Sequence, residues 1–292
     1  MESKADQLVK EADKSLKGFS LAKYFRGDRY ESARDKFKQA ATHYKACNNY
    51  TKAAKAYERA ADMSRAYKDE VDETTDLEDA AMCYVKTNDK KTAAALYTLV
   101  LGQYEKNQMH IKAAKICVSL SEITEGTAPI TWLEKAAVYY QMQGSRASAD
   151  GLRQKVAETK ARLGDYKGAR ELYEQLARDT LNDAVLRSAA RKLFFMALLT
   201  QLATFTGESI MEDVTELRER FDEYQELDTQ FDHLTREHML VSAIIEAIQE
   251  ESVEKMDAAI MDYDKICVLD ELKEKMLTRA KHALIGRLHD LR

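Results

Sequence analysis

The sequence predicts an all-α chain of about fourteen helices. The first nine pair as antiparallel hairpins stacked into a solenoid, and the last five close its end as a globular bundle. Three observations predict this. A short signature recurs, Ala then an aromatic four residues on and a small or apolar residue after three more: Ala33–Phe37–Ala40, Ala53–Tyr57–Ala60, Ala93–Tyr97–Val100 and Ala169–Tyr173–Leu176, with looser copies from Ala80, Ala113 and Ala136. Starts at 33 and 53, 93 and 113, and 149 and 169 are 20 residues apart, one helix plus its turn, so two make a hairpin of about 40 residues. The alanine lets two helices approach, and the aromatic on the same face fills the space beside it. Second, 292 residues contain one proline and ten glycines, the residues that helix interiors tolerate least. Third, the signature stops near residue 181 and a longer apolar helix follows, ending FFMALLTQLATF.

Taken in order, the pattern places helices near 3–17, 30–46, 50–67, 75–87, 90–106, 109–123, 128–143, 145–162 and 165–179. Short polar turns separate them, at Asn48-Asn49, Asn88-Asp89, Asn107-Gln108, Gly144-Ser145 and Gly164-Asp165, which makes neighbours antiparallel. Pro129 falls in the first turn of the seventh helix, where its missing N–H costs nothing. Helices near 184–204, 209–225, 229–249, 252–265 and 269–286 form the cap, which covers the apolar end of the solenoid. The expected division is therefore 1–180 and 181–292, with an irregular stretch at 18–29 and a mobile tail at 287–292.

Composition excludes several function classes. No run approaches the roughly 20 apolar residues of a membrane span, and the opening MESKADQLVKEADKSL lacks the apolar core of a signal peptide. The four cysteines, Cys47, Cys83, Cys117 and Cys267, have no paired spacing, which predicts buried reduced thiols in a cytoplasmic protein. There is no phosphate-binding, zinc-protease or nucleophile-elbow motif, so neither enzyme activity nor a cofactor is expected. His233, Glu237 and His238 match no metal pattern and read as a solvated helix face. A pI near 5.8 without a dense basic stripe argues against nucleic acid.

The net charge of −5 is unevenly distributed. Residues 201–292 carry 22 acidic and 11 basic side chains, a balance of −11, leaving +6 on residues 1–200. This predicts an acidic partner for the first part and a basic partner for the second. Two further features stand out. Phe19, Leu21, Tyr24 and Phe25 lie in a glycine-flanked connection beside Lys17, Lys23 and Arg26, a composition suited to shallow insertion into an anionic bilayer; a hydrophobic plug folding back on the first helices is the competing reading. Arg187 and Arg191 stand four apart on one helix face, with Arg153 and Lys155 on an earlier helix, a basic stripe suited to a long acidic helical partner.

The chain resembles the alpha-type soluble NSF attachment proteins. The resemblance rests on the Gly18-Phe19 to Tyr30 stretch, Ala113-Ala114-Lys115 with Ser121-Glu122-Ile123, Lys155-Val156-Ala157, Tyr166 through Gln175, and Phe194-Phe195 after the two arginines. Glu246-Ala247, Tyr263-Asp264, Leu269-Asp270 and the terminal Asp290-Leu291-Arg292 complete it. It implies a twisted sheet of helical hairpins with a C-terminal bundle, and a non-enzymatic adaptor of vesicle-mediated transport and membrane fusion. The implied partners are a syntaxin-like SNARE four-helix bundle, surrounded by several copies, and the hexameric ATPase NSF, recruited and stimulated for SNARE disassembly. The protein would be cytoplasmic and peripheral on the cytosolic face of membranes.

Carried onto this sequence, the resemblance assigns SNARE binding to Lys45, Lys86, Lys115, Lys155, Arg187, Arg191 and Arg236, with Arg153 substituting for a lysine absent near Gly151. It assigns ATPase binding and activation to Glu246, Glu250, Glu251, Asp290, Leu291 and Arg292, and membrane attachment to the 18–29 loop. The chain departs from the family at Met109-His110, Gly151, Val268 to Leu272 and Arg287-Leu288-His289, which marks it as a divergent member. The competing reading is a tetratricopeptide-like scaffold that binds peptide tails of other partners.

Overall fold

The computed structural model describes residues 2–17, 26–183 and 186–290. The described chain is all-α, with fourteen α-helices and no strand among the described residues. They are α1 (Glu2–Lys17), α2 (Arg26–Ala46), α3 (Tyr50–Tyr67), α4 (Glu70–Lys86), α5 (Lys90–Lys106), α6 (His110–Ile123), α7 (Ala128–Met142), α8 (Arg146–Arg162), α9 (Tyr166–Leu181), α10 (Ala190–Leu202), α11 (Ile210–Leu227), α12 (Arg236–Gln249), α13 (Val253–Asp264) and α14 (Glu271–Asp290).

One turn joins many of these helices. A residue in the left-handed region ends the helix, and the next residue donates its N–H five residues back. Asn48, Lys68, Asn88, Gln108, Gly144, Gly164 and Glu251 have φ between 51° and 91°. The N–H groups of Asn49, Asp69, Asp89, Met109, Ser145, Asp165 and Ser252 reach Tyr44, Ser64, Tyr84, Tyr104, Tyr140, Lys160 and Ala247 carbonyls at 2.8–3.0 Å. This double closure satisfies carbonyls that a helix end leaves open. The second turn residue then caps the following helix: side-chain oxygens of Asn49, Asp69, Asp89, Asp165 and Ser252 accept N–H groups three residues on. Each element therefore stops and restarts within three residues.

The chain forms two compact units, residues 1–146 and 147–292. In the first, each helix packs on the next from α1 to α7. Its core is built from alanines against aromatics: Ala40, Ala41, Ala53, Ala54 and Ala80 with Tyr44 and Tyr57, and Ala12, Ala33 and Ala60 with Phe37. The signature residues thus do the packing expected of them. Tyrosine hydroxyls tie successive layers: Tyr44 to Asp6 at 2.5 Å, Tyr84 to Glu58 at 2.9 Å, Tyr104 to Glu78 at 2.5 Å and Tyr139 to Glu105 at 2.5 Å. Between α2 and α4, Arg34 donates to Asp76 at 2.7 and 3.2 Å, both side chains buried.

In the second unit one core runs from Ala157 to Leu284, so the change of character near 181 falls inside it. Helix α10 is its axis: ten of its thirteen residues are buried, and it packs on α9, α11, α12 and α14. A helix apolar all round belongs at such a centre. Phe194 stacks on Tyr224 with ring centres 4.3 Å apart.

Four boundaries differ from the sequence expectation. Helix α4 starts at Glu70 because Asp69 caps it. Arg187 lies in a short 3-10 turn, Arg187–Ala189, before α10. Helix α12 starts at Arg236, because Asp228 and Asp232 accept the N–H groups of Gln230 and Leu234 in local turns. Helix α14 continues through 287–290, where a tail is expected. The turn at Gly207 packs directly on its backbone there: a Cβ on Gly207 would lie 3.0 Å from the Arg287 nitrogen. The expected membrane-contact residues Phe19, Leu21, Tyr24 and Phe25 lie outside the described residues, as do Leu291 and Arg292.

Candidate functional site: an array of unpaired cations

The basic residues singled out by sequence separate into two groups once their neighbours are known. In the first unit, Lys45 and Lys86 sit in the last turns of α2 and α4, and Lys115 in the second turn of α6. Lys86 and Lys115 are exposed and make no ion pair among the described residues. Lys45 is half-buried, its ammonium 5.6 Å from the Tyr57 ring centre. It also draws on Asp79, whose carboxyl is pushed up by burial and pulled back by Lys45 and Lys38. Lys45 therefore serves the fold as well as any partner.

The second unit repeats this division. Lys155 on α8, Arg187 in the 3-10 turn and Arg236 at the start of α12 are exposed, with no ion pair among the described residues. Arg236 reaches only the Met239 sulfur, at 3.9 Å. Arg153 is held by Asp150 one turn back at 2.9 Å, and Arg191 by Glu237 on α12 at 3.7 Å. The Arg191 Nε is buried with no hydrogen bond among the described residues, so Glu237 acts on it as a nearby charge. The arginines four apart in sequence thus differ: Arg187 is open and Arg191 is committed. No pattern in the sequence reveals this, since Glu237 lies 46 residues away.

Beside Arg191 and Glu237 a cleft of about 400 Å³ opens between α8, α9, α10 and the segment after α13. Phe195, Met196, Tyr173 and Tyr263 form its apolar wall, and Glu158, Lys192, Asp270 and Lys273 its charged rim. Burial raises the Tyr173 and Tyr263 hydroxyls well above the usual tyrosine range.

The acidic candidates are partly spoken for. Glu246 is exposed and takes only a 3.4 Å bond from Ser242. Glu250 pairs with Lys255, and Glu251, at φ 51°, faces Arg287 at 3.6 Å. The expected solvated helix face at 233–238 does not form: His233 is exposed but lies in the turn before α12, and Glu237 and His238 are half-buried. His238 packs against Phe221 and Phe231, with ring centres 4.7 and 6.0 Å away, and bonds Gln225 at 3.1 Å. Burial, then His233, lowers its pKa. No group of potential metal ligands forms among the described residues. All four cysteines are free, with Cys83 and Cys117 buried and Cys47 and Cys267 half-buried. Burial pushes the Cys117 thiol up to about 11. No described helix is long and apolar enough to cross a membrane.

These placements can be set beside known proteins. The family model described as soluble NSF attachment protein, SNAP, matches residues 3–285. The chain is 27% identical over 284 residues to the alpha-soluble NSF attachment protein of Vitis vinifera, covering 96% of this chain and 94% of that relative. It is 28% identical over 293 residues to the beta-soluble NSF attachment protein of Bos taurus, covering 98% and 95%. It is 25% identical over 291 residues to the vesicular-fusion protein SEC17 of Komagataella phaffii, covering 96% and 95%. A family match spanning nearly every helix described above, carried by relatives aligned over almost their full length, makes the chain a member of the soluble NSF attachment protein family.

Proposed function

We propose that this chain is a non-enzymatic adaptor of vesicle fusion, which binds assembled SNARE complexes and brings the hexameric ATPase NSF to them. The observation that carries the reading is the end-to-end family match over residues 3–285. The exposed cations Lys86, Lys115, Lys155, Arg187 and Arg236 support an acidic, extended partner, because the fold leaves their charge unused. Lys45, Arg153 and Arg191 are secondary contributors, since each already faces a ring or a carboxylate. The ATPase meets Glu246, Glu250 and Glu251 and the terminal Asp290, Leu291 and Arg292. Residues 18–29 attach the complex to the membrane, and several copies surround one SNARE bundle.

The test is a pull-down with assembled and with monomeric SNAREs. The parent protein should prefer the assembled bundle, and Lys155→Glu/Arg187→Glu should weaken that binding at least tenfold at low salt, with the difference shrinking as salt rises. Equal capture of monomeric tails, or binding insensitive to both reversal and salt, would instead favour a general peptide-binding scaffold.

A further inference from the structure

We propose that the cleft between α8, α9, α10 and the segment after α13 binds a small amphipathic acid, an apolar body ending in a carboxylate. A buried tyrosine usually finds a partner for its hydroxyl, and this chain meets that need with carboxylates. Tyr44, Tyr67, Tyr84, Tyr104, Tyr139 and Tyr224 each donate to an Asp or Glu at 2.5–2.9 Å. Tyr173 and Tyr263 both line the cleft and are only 1% and 8% exposed. Neither hydroxyl has a hydrogen bond among the described residues, and neither oxygen is sealed off from the cleft. Two donors on side chains more than nine-tenths buried thus open into one hollow with no acceptor, and such groups in a native fold call for an explanation.

The carboxylates already in the cleft are taken by other groups. Glu158 pairs with Arg162 at 2.8 Å, Glu237 with Arg191 at 3.7 Å, and Asp270 with Lys273. Lys192 on α10 also lines the cleft, is exposed, and makes no ion pair among the described residues. With each carboxylate matched, the Lys192 ammonium is the charge left over. Two phenol donors and one unpaired cation in a single hollow suit an ionised carboxylate, the group that the chain's other buried tyrosines already use.

The walls suit the rest of such a ligand. Phe195, Met196 and Leu272 line the cleft, and Val268, which lines it too, is 85% exposed without a cover. The Phe195 and Tyr263 ring centres lie 5.7 Å apart, which holds that phenol in place. A volume of about 400 Å³ lies within the range of ligand pockets. It leaves room for roughly a dozen non-hydrogen atoms at about 30 Å³ each, a chain or ring system of roughly ten carbons with its carboxylate. An Asp or Glu side chain of a protein partner has too short an apolar stem to fill that space, so the structure favours a free acid.

The experiment is calorimetric titration of the full chain at neutral pH with decanoate, kept below its micelle concentration. One decanoate should bind per chain. Tyr173→Phe/Tyr263→Phe keeps both rings and removes both hydroxyls, and it should weaken decanoate at least tenfold. Its thermal melting should not fall, since neither hydroxyl bonds to the fold. Tyr166→Phe removes a buried hydroxyl of the same unit outside the cleft and should leave the affinity unchanged. Lys192→Gln should weaken decanoate severalfold, and Lys192→Arg should not. Decyltrimethylammonium, a similar body with the opposite charge, should not displace decanoate. The proposal is overturned if the parent takes up no decanoate at millimolar concentration, or if the Tyr173→Phe/Tyr263→Phe chain binds it like the parent. It is equally overturned if decyltrimethylammonium competes, which would give the cleft to cations through its carboxylates. Tighter binding of an N-acetylated Leu-Leu-Glu peptide than of decanoate would also overturn it, by making the occupant an acidic segment of a protein.

Discussion

Replacing Asp76 by alanine should destabilise the first unit by about 3–5 kcal/mol without touching a surface cation assigned to partner binding. Asp76 has a side-chain exposure of 0%, and Arg34 one of 9%. The carboxylate receives Arg34 at 2.7 and 3.2 Å, the Lys38 ammonium at 3.1 Å and the Ser64 hydroxyl at 3.3 Å. Without it, Arg34 keeps only the partly exposed Asp72 at 2.5 Å, and a guanidinium remains buried with most of its charge uncompensated. The cost arises from that stranded charge and not from lost attraction alone. Arg34→Met/Asp76→Leu, which removes both charges and keeps the volume, should therefore recover most of the loss. Trp132 is the chain's single tryptophan and lies in the same unit, so its fluorescence follows this transition in urea. With an m-value of about 2 kcal/mol/M, the Asp76→Ala midpoint should fall by about 1.5–2.5 M. A loss under about 1 kcal/mol, or a double variant as damaged as the sum of the two singles, would refute the reasoning.

Other expectations follow from the same geometry. Lys68→Gly should raise stability by up to about 1 kcal/mol, because Lys68 sits at φ 68° and makes no ion pair among the described residues; no gain in thermal melting would count against the turn geometry. Tyr44, Tyr67 and Tyr84 are pushed up to about 12 by burial first, then by Asp6, Asp72 and Glu58. Raised folded-state values mean that their contribution is complete below pH 10, the ordinary tyrosine value, and is lost as pH rises from about 10 to 12. Absorbance at 295 nm should show them ionising with the loss of helicity, and ionisation near pH 10 in an intact fold would contradict this. On the proposed function, Leu291→Ala should leave melting and SNARE capture unchanged but lower SNARE disassembly at limiting adaptor, and full disassembly would remove Leu291 from the activating contact.

Much of the architecture was readable because the chain writes its turns in residues that prefer them. Asn48, Asn88, Gly144 and Gly164 tolerate the left-handed region, and each marks a boundary the sequence predicts. Lys68 and Glu251 adopt the same conformation with no preference for it, so the first turn of α4 goes unseen. Likewise 229–235 reads as helix because nothing in its hydrophobic period announces the local bonds of Asp228 and Asp232. The site was legible as a list of cations but not as a set of available charges. Availability depends on partners remote in sequence, as with Arg191 and Glu237.

The division between used and unused charge bears on how such an adaptor could grip. An exposed cation contributes only about 0–1 kcal/mol to a contact, so Lys86 and Lys115 cannot hold a partner singly. A grip assembled from weak contacts gains strength when the first contact holds the rest at high effective concentration, and that gain is lost if their spacing fluctuates. The first unit uses its carboxylates to prevent such fluctuation. Asp6, Glu58, Glu78 and Glu105 each take a tyrosine hydroxyl from a neighbouring layer, and Asp76 ties α2 to α4. The four carboxylates that take tyrosines are half-buried and engaged between layers, while Lys86 and Lys115 are exposed and make no ion pair among the described residues. Removing a bridging carboxylate such as Glu78 should accordingly harm partner binding through lost alignment even though it makes the unit more positive, the opposite of what net charge alone predicts.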